Sequence, residues 1–310
     1  MIEVFGAFFL LLIMGTVWRY IPHVPDADIV RKSLGGVVMN FFLPGLTFSV
    51  LYKAPINAEL WQIPLVAIAS VFSSLVICYL FFGVFGRFLK GITRKSVGAL
   101  LLAATWGNVT YLGLPTITAL LGEEYRRVPI YFDLLGMTPL LWTLGVSIAD
   151  HYGNESSHAH ILDTMKRGLR TVIILPPFWA ALLGLLFNSM HIPCPDFILK
   201  VCSLVGDAVP PMMIFSIGLA LRTPHIHHVV WIIPILIIKL LCTPFIAQHI
   251  AIMVGLEGYV LKASVIESAM PTMVLTMVVA DRFNLDIDLL AQIIAISTVL
   301  SFFSVGLLWG

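Results

Sequence analysis

The chain has 310 residues, 59% of them hydrophobic and only 11% charged, with a formal net charge of +1 and a mean hydropathy of +0.98. Soluble globular domains carry about 25% charged residues, so this composition excludes one and indicates an integral membrane protein. The small net charge points to no polyanionic partner such as nucleic acid, and Cys78, Cys194, Cys202 and Cys242 are scattered without the spacing of a metal site or a disulfide framework.

The apolar runs 2–17, 60–85 and 289–309 approach or reach the roughly 20 residues that cross a ~30 Å hydrocarbon core as a helix, whereas barrel strands would show alternation over about 10 residues. The expected class is all-α integral membrane. Glu3 stands where a basic leader would begin, and no small-x-small cleavage site follows the first run, so it reads as a retained span. Clusters of charge, proline and glycine divide the chain into ten expected spans near 3–19, 33–52, 60–86, 97–122, 127–149, 168–189, 197–221, 228–253, 258–280 and 287–309. With both termini outside, the inside connections hold Arg19, Arg31, Lys32, Arg87, Lys90, Arg94, Lys95, Lys166, Arg167, Arg170, Arg222 and Arg282. That is 12 of the 18 basic residues, the bias expected of cytoplasmic loops.

The two halves of the chain match each other. Pro44, Phe48 and Ser49 of span two correspond to Pro211, Phe215 and Ser216 of span seven, with Asn40 opposite Asp207. Leu114-Pro115-Thr116 of span four corresponds to Met270-Pro271-Thr272 of span nine, with Gly113 opposite Ala269. Two five-span repeats, 1–150 and 168–310, are therefore expected around the polar loop 151–167, and because five is odd the second is inverted relative to the first. Pro115 and Pro271 each lack an amide hydrogen and disfavour helix in the residue before them. Freed backbone groups in lipid cost several kcal/mol unless they face protein or a water-filled cavity. Spans four and nine are thus expected to be broken and to cross, with half-helix N-termini starting at Pro115 and Pro271 converging on one anion site.

The stretch GNVTYLGLP at 107–115 resembles a motif of the auxin efflux carrier family, the bacterial organic-acid permeases related to plant PIN-FORMED carriers. LVGDAVPPMMIFSIGLAL at 204–221 and SAMPTMVLTMVVADRFNLD at 268–286 are similar to that family's seventh and ninth spans. Thr110 stands where the bacterial pattern usually has glycine, and Gly35 where a polar residue is usual. The resemblance implies a fold like that of sodium/proton antiporters and bile-acid symporters, in the cytoplasmic (inner) membrane. It also implies an elevator in which spans 3–5 and 8–10 slide against a scaffold of spans 1, 2, 6 and 7. The expected substrate site comprises Asn108, Thr110, Tyr111, Gly113, Pro115 and Thr116 from the first break, Ser268, Pro271 and Thr272 from the second, and Asn40 from span two.

Ionisable residues within spans are costly and face partners or a pathway. Glu267, one turn before Pro271, reads either as a coupling-ion site or as fixed compensation for the helix ends, with Lys239 as its expected ion-pair partner. Asp207 is expected to line the site opposite Asn40, and Asp133 reads as a vestibule residue nearer the outer face. His151, His158, His160, His225, His227 and His228 fall in inside connections and read as solvated rather than metal-binding.

The function expected is secondary transport of a small organic anion, a carboxylate, with no cofactor beyond a coupling proton or sodium ion. Its partners are that anion and the bilayer, with a homodimer left open. The alternative is a cation/proton antiporter that binds its ion at Glu267 and Asp207. An intramembrane enzyme is not expected, because no Gly-x-Ser-x-Gly, His-Glu-x-x-His or closely spaced aspartate motif occurs, and ATP-driven transport is not expected without a nucleotide-binding loop.

Overall fold

The computed structural model describes residues 2–84, 92–154, 161–221 and 229–306. Arg87, Lys90 and Arg222, and His158, His160, His225, His227 and His228, lie outside the described residues. The described residues are helical throughout, apart from connections and one isolated β-bridge. In chain order the helices are α1 (Ile2–Val17), α2 (Ala27–Lys53), α3 (Glu59–Phe82), α4 (Arg94–Thr105), α5 (Val109–Leu121) and α6 (Glu123–Gly153). They continue as α7 (Ile161–Ile174), α8 (Pro176–Ser189), α9 (Asp196–Ala220), α10 (Val230–Met253), α11 (Gly258–Ser268), α12 (Thr276–Arg282) and α13 (Ile287–Ser304). Six of these, α2, α3, α6, α9, α10 and α13, are long and apolar enough to cross a membrane, while α1 and α5 are shorter apolar helices.

Local sequence accounts for the helix starts. Asp26 caps α2 by accepting from the amides of Asp28 and Ile29, and Thr93 caps α4 by accepting from Ser96. Asp286 caps α13 through the amide of Leu289 and also accepts from the Ser96 hydroxyl at 2.7 Å, which ties the starts of α4 and α13 together.

Prolines shape the helix interiors in a repeated way. The residue before Pro44, Pro115, Pro139 and Pro244 donates its amide to the carbonyl five residues back, Leu43 to Val38, Leu114 to Val109, Thr138 to Asp133 and Thr243 to Ile238. A proline ring clashes with the carbonyl four residues before it; a widened turn moves that carbonyl aside without ending the helix. These prolines therefore bulge their helices, and the true interruptions lie elsewhere.

The helices pack in two sets. Helices α1, α9, α2 and α8 pack in that order, each against the next, whereas α3, α4, α6, α10, α11 and α13 form a second bundle around α5 and α12. Helix α7 packs chiefly along α6. The first set is pressed close by glycine. A Cβ on Gly15 of α1 would lie 2.9 Å from Gly218 Cα of α9, and one on Gly218 would collide with the Leu12 carbonyl. The Thr16 hydroxyl donates to Leu12 O and, at 3.3 Å, to Gly218 O, the small-residue and hydroxyl packing that lets membrane helices approach. The second bundle holds the largest fully buried side chains, Trp106, Tyr131, Phe82 and Phe132.

Candidate functional site at two paired helix breaks

Helix α4 ends at Thr105 and α5 starts at Val109; α11 ends at Ser268 and α12 starts at Thr276. The two gaps meet. Gly107 and Thr272 form an antiparallel bridge, the Asn108 amide donates to Pro271 O at 2.7 Å, and the Met273 amide donates to Trp106 O at 2.9 Å. Each break thus satisfies backbone groups that the other has freed, which is how non-helical chain survives deep in an apolar bundle. Pro271 has no amide to satisfy and contributes only its carbonyl. The Thr272 hydroxyl donates to Ala103 O at 2.8 Å and its amide to Ser297 Oγ at 3.2 Å, fixing the second break to α4 and α13.

This geometry corrects the expected start of the half-helices. The first break lies at 106–108, and Pro115 sits inside α5, where it widens the turn 109–113. The second half-helix begins at Thr276, five residues beyond Pro271, and has only seven residues. The N-terminus of α5 is therefore the stronger electrostatic element, and Asn108 stands at its cap without a capping bond.

Beside the α5 terminus lies a narrow cavity of about 20 Å³, enough for roughly one water. Met39, Leu43, Leu175 and Pro177 wall one side; Asn108, Thr110, Tyr111, Asp133, Thr138 and Trp142 wall the other. Asn108 is 1% exposed, and both its amide oxygen and nitrogen lack a hydrogen-bond partner. The indole Nε1 of Trp142 is likewise buried and unpartnered. A buried polar group left unsatisfied costs about 1–3 kcal/mol, so these atoms favour a polar occupant. Asp133 is 4% exposed and accepts from two hydroxyls, Thr138 at 2.7 Å to Oδ1 and Thr110 to Oδ2.

Other expected ligands turn away. The Thr116 hydroxyl donates to Leu112 O at 2.7 Å and that of Ser268 to Val265 O at 2.6 Å, so both are engaged in their own helices. Asn40 is exposed and donates to Gly36 O; its neighbours Met39 and Leu43 face the cavity instead.

Glu267 and Lys239 are both fully buried and both unpartnered, and no ion pair joins them among the described residues. The expected pair is corrected by their placement. The Glu267 carboxylate abuts Gly113, where a Cβ would collide with it, while Lys239 Nζ would lie 3.1 Å from a Cβ on Gly107. They occupy separate glycine notches of the first broken span. Asp207 is also displaced from its expected position: its side chain is 57% exposed and pairs with Arg126 Nη1 at 3.1 Å. Arg126 also meets Glu123 at 2.8 Å and donates to Thr118 Oγ1.

Asp133, which reads from the sequence as a vestibule residue, lines the narrow cavity beside Asn108. It is the sole Asp, Glu, Lys, Arg or His in the apolar stretch 128–149, and that isolation was the available signal. Trp142, an indole within the same stretch, carried no comparable signal. A second, larger cavity of about 810 Å³ opens between Asp28, Arg31 and Lys32 of α2 and the α12–α13 region at Asp281, Asp286 and Asp288. Met277 and Val278 line it, while Met273 and Leu275 line the narrow cavity, so the start of α12 stands between the two.

A family model described as "Membrane transport protein" matches residues 28–309, nearly the whole chain and both breaks. The chain belongs to the auxin efflux carrier family. This carrier is 30% identical over 300 residues, 96% of its length and 93% of the relative's, to an uncharacterized transporter of Methanothermobacter thermautotrophicus. It is 25% identical over 289 residues to an uncharacterized transporter of Methanocaldococcus jannaschii, covering 90% of this chain and 88% of that one. It is 23% identical over 246 residues to auxin efflux carrier component 8 of Arabidopsis thaliana, covering 63% and 67%. The carrier is thus an integral membrane transporter, from a family of transporters rather than enzymes.

Proposed function

We propose that this carrier is a secondary transporter of a small organic anion, a carboxylate, bound at the paired breaks. The observation that carries the reading is Asn108: a fully buried amide with no partner, at the unfilled cap of α5, beside a cavity. An amide nitrogen and a helix N-terminus are neutral or partly positive groups suited to a carboxylate. The cavity is too small for one as it stands, so binding requires its walls to part. Those walls come from different helix sets, Met39 and Leu43 from the first and Thr110 and Asp133 from the second. That supports an elevator in which the second bundle slides against α1, α2, α8 and α9.

Ten spans follow if the six long helices are joined by α1, α4–α5, α7–α8 and α11–α12, giving two inverted halves with both termini outside the cytoplasmic membrane. In that orientation the 810 Å³ cavity, with Arg31 and Lys32, opens inward. Glu267, unpartnered beside Gly113, is the candidate for a coupling proton or sodium ion. The antiporter alternative loses its second ligand, because Asp207 is exposed and held by Arg126.

The test is uptake by reconstituted proteoliposomes of labelled mono- and dicarboxylates, with a proton or sodium gradient imposed in turn. Saturable uptake of a carboxylate supports the proposal; sodium–proton exchange with no carboxylate uptake overturns it.

A further inference from the structure

Asp133 has no place in a simple anion cradle. It lies in the candidate substrate cavity, 4% exposed, with one hydroxyl bond to each carboxylate oxygen and no basic partner among the described residues. A carboxylate offers about four acceptor sites and can donate nothing when ionised, so roughly two sites remain beyond Thr110 and Thr138. The neighbouring wall groups, Asn108 Nδ2 and Trp142 Nε1, are unpartnered donors. The cavity therefore has donors and an acceptor side by side.

We infer that the substrate is a monocarboxylate bearing a hydrogen-bond donor, a hydroxyl or amino group, with Asp133 as the residue that accepts from that donor and sets specificity. The inference rests on the carboxylate reading above and narrows it. Asn108 and Trp142 hold the substrate carboxylate, and the donor group bonds to an acceptor site that Thr110 and Thr138 leave open on Asp133. A second, ionised carboxylate on the substrate offers Asp133 no donor and is rejected. An unsubstituted acid leaves Asp133 facing an anion with no bond in return. A site built for a donor discriminates strongly against the analogue lacking it, so a preference of roughly tenfold or more is expected.

Four three-carbon probes separate the terms: propionate, lactate, alanine and malonate. Their binding to the purified full-length carrier is measured by thermal stabilisation as a function of probe concentration. The wild-type carrier should bind lactate or alanine at least about tenfold more tightly than propionate, with malonate weakest. Asp133→Asn should draw the ratio of the donor-bearing acid to propionate toward one. If that variant does not fold, the wild-type ranking decides alone. Propionate or malonate binding as tightly as the donor-bearing acids, or a ratio that survives Asp133→Asn, overturns this inference while leaving the carboxylate site standing. No stabilisation by any of the four, or stabilisation indifferent to Asn108→Ala, overturns the carboxylate reading itself and this inference with it.

Discussion

The broken spans press together at Gly113, and adding one methyl there is a sharp test of the geometry. A Cβ on Gly113 would collide with the Glu267 carboxylate, lying 2.6 Å from Cδ and 2.7 Å from Oε1. Glu267 is fully buried, so its carboxylate, the movable end of the side chain, must shift against packed neighbours to make room. Alanine in place of helical glycine ordinarily stabilises by up to about 1 kcal/mol, whereas forcing a methyl into a packed site costs about 1–3 kcal/mol. The expected outcome for Gly113→Ala is a net loss of about 1–2 kcal/mol, read as a fall of several degrees in apparent melting temperature of the detergent-solubilised carrier. Glu267→Ala removes the obstructing atoms, so the double replacement should be more stable than the sum of the two single effects, with a coupling of about 1–2 kcal/mol between the sites. A gain in stability for Gly113→Ala, or strict additivity in the double, would refute the close approach of the two spans.

Three further outcomes follow from other parts of the molecule. Single cysteines at Asn154 and Glu257, in a background lacking native cysteines, should react with impermeant reagents from opposite faces of the membrane; reaction from one face would sink the inverted duplication. Glu267→Gln should retain substrate-for-substrate exchange and lose gradient-driven uptake, and adding Lys239→Met should not restore it because the two side chains do not pair; rescue by the double replacement would reinstate a structural ion pair. Asp207→Asn should cost under about 1 kcal/mol, as expected of an exposed pair, whereas Arg126→Ala also loses Glu123 and Thr118 and should cost more in the same thermal assay; equal losses would show that the contacts of Arg126 to its own segment carry no weight.

The two breaks were legible because GNVTYLGLP and SAMPTMV place glycine, proline and polar residues where an uninterrupted apolar helix would serve a plain span better. Their exact location was not legible. Pro115 and Pro271 signal strain, but a proline in an apolar helix can be absorbed by a widened turn, as it is before Pro44, Pro139 and Pro244 as well. The gap at 106–108 is set instead by backbone pairing with residues 271–273, a contact between segments some 160 residues apart in the chain. Lys239 and Glu267 were expected to pair because both are charged and share one half of the chain. Which notch each enters depends on helix rotation, and Gly107 and Gly113 present two. The same blindness to rotation placed Asp207 and Asn40 in the site, although both are exposed. Asp133, by contrast, stood alone in its apolar stretch, and depth alone argued for it.

Asn108 is the unpartnered amide at the cap of α5. Concentration-dependent uptake of the best carboxylate should be measured in proteoliposomes for the wild-type carrier, Asn108→Ala and Thr116→Val. Removing the Asn108 amide should raise the half-saturating concentration roughly 5- to 150-fold, the equivalent of one lost polar contact worth about 1–3 kcal/mol. Thr116→Val should leave it within a factor of about two, because that hydroxyl is already bonded to Leu112 O. An unchanged half-saturating concentration in Asn108→Ala, or a rise in Thr116→Val as large, would contradict a carboxylate site at the α5 cap.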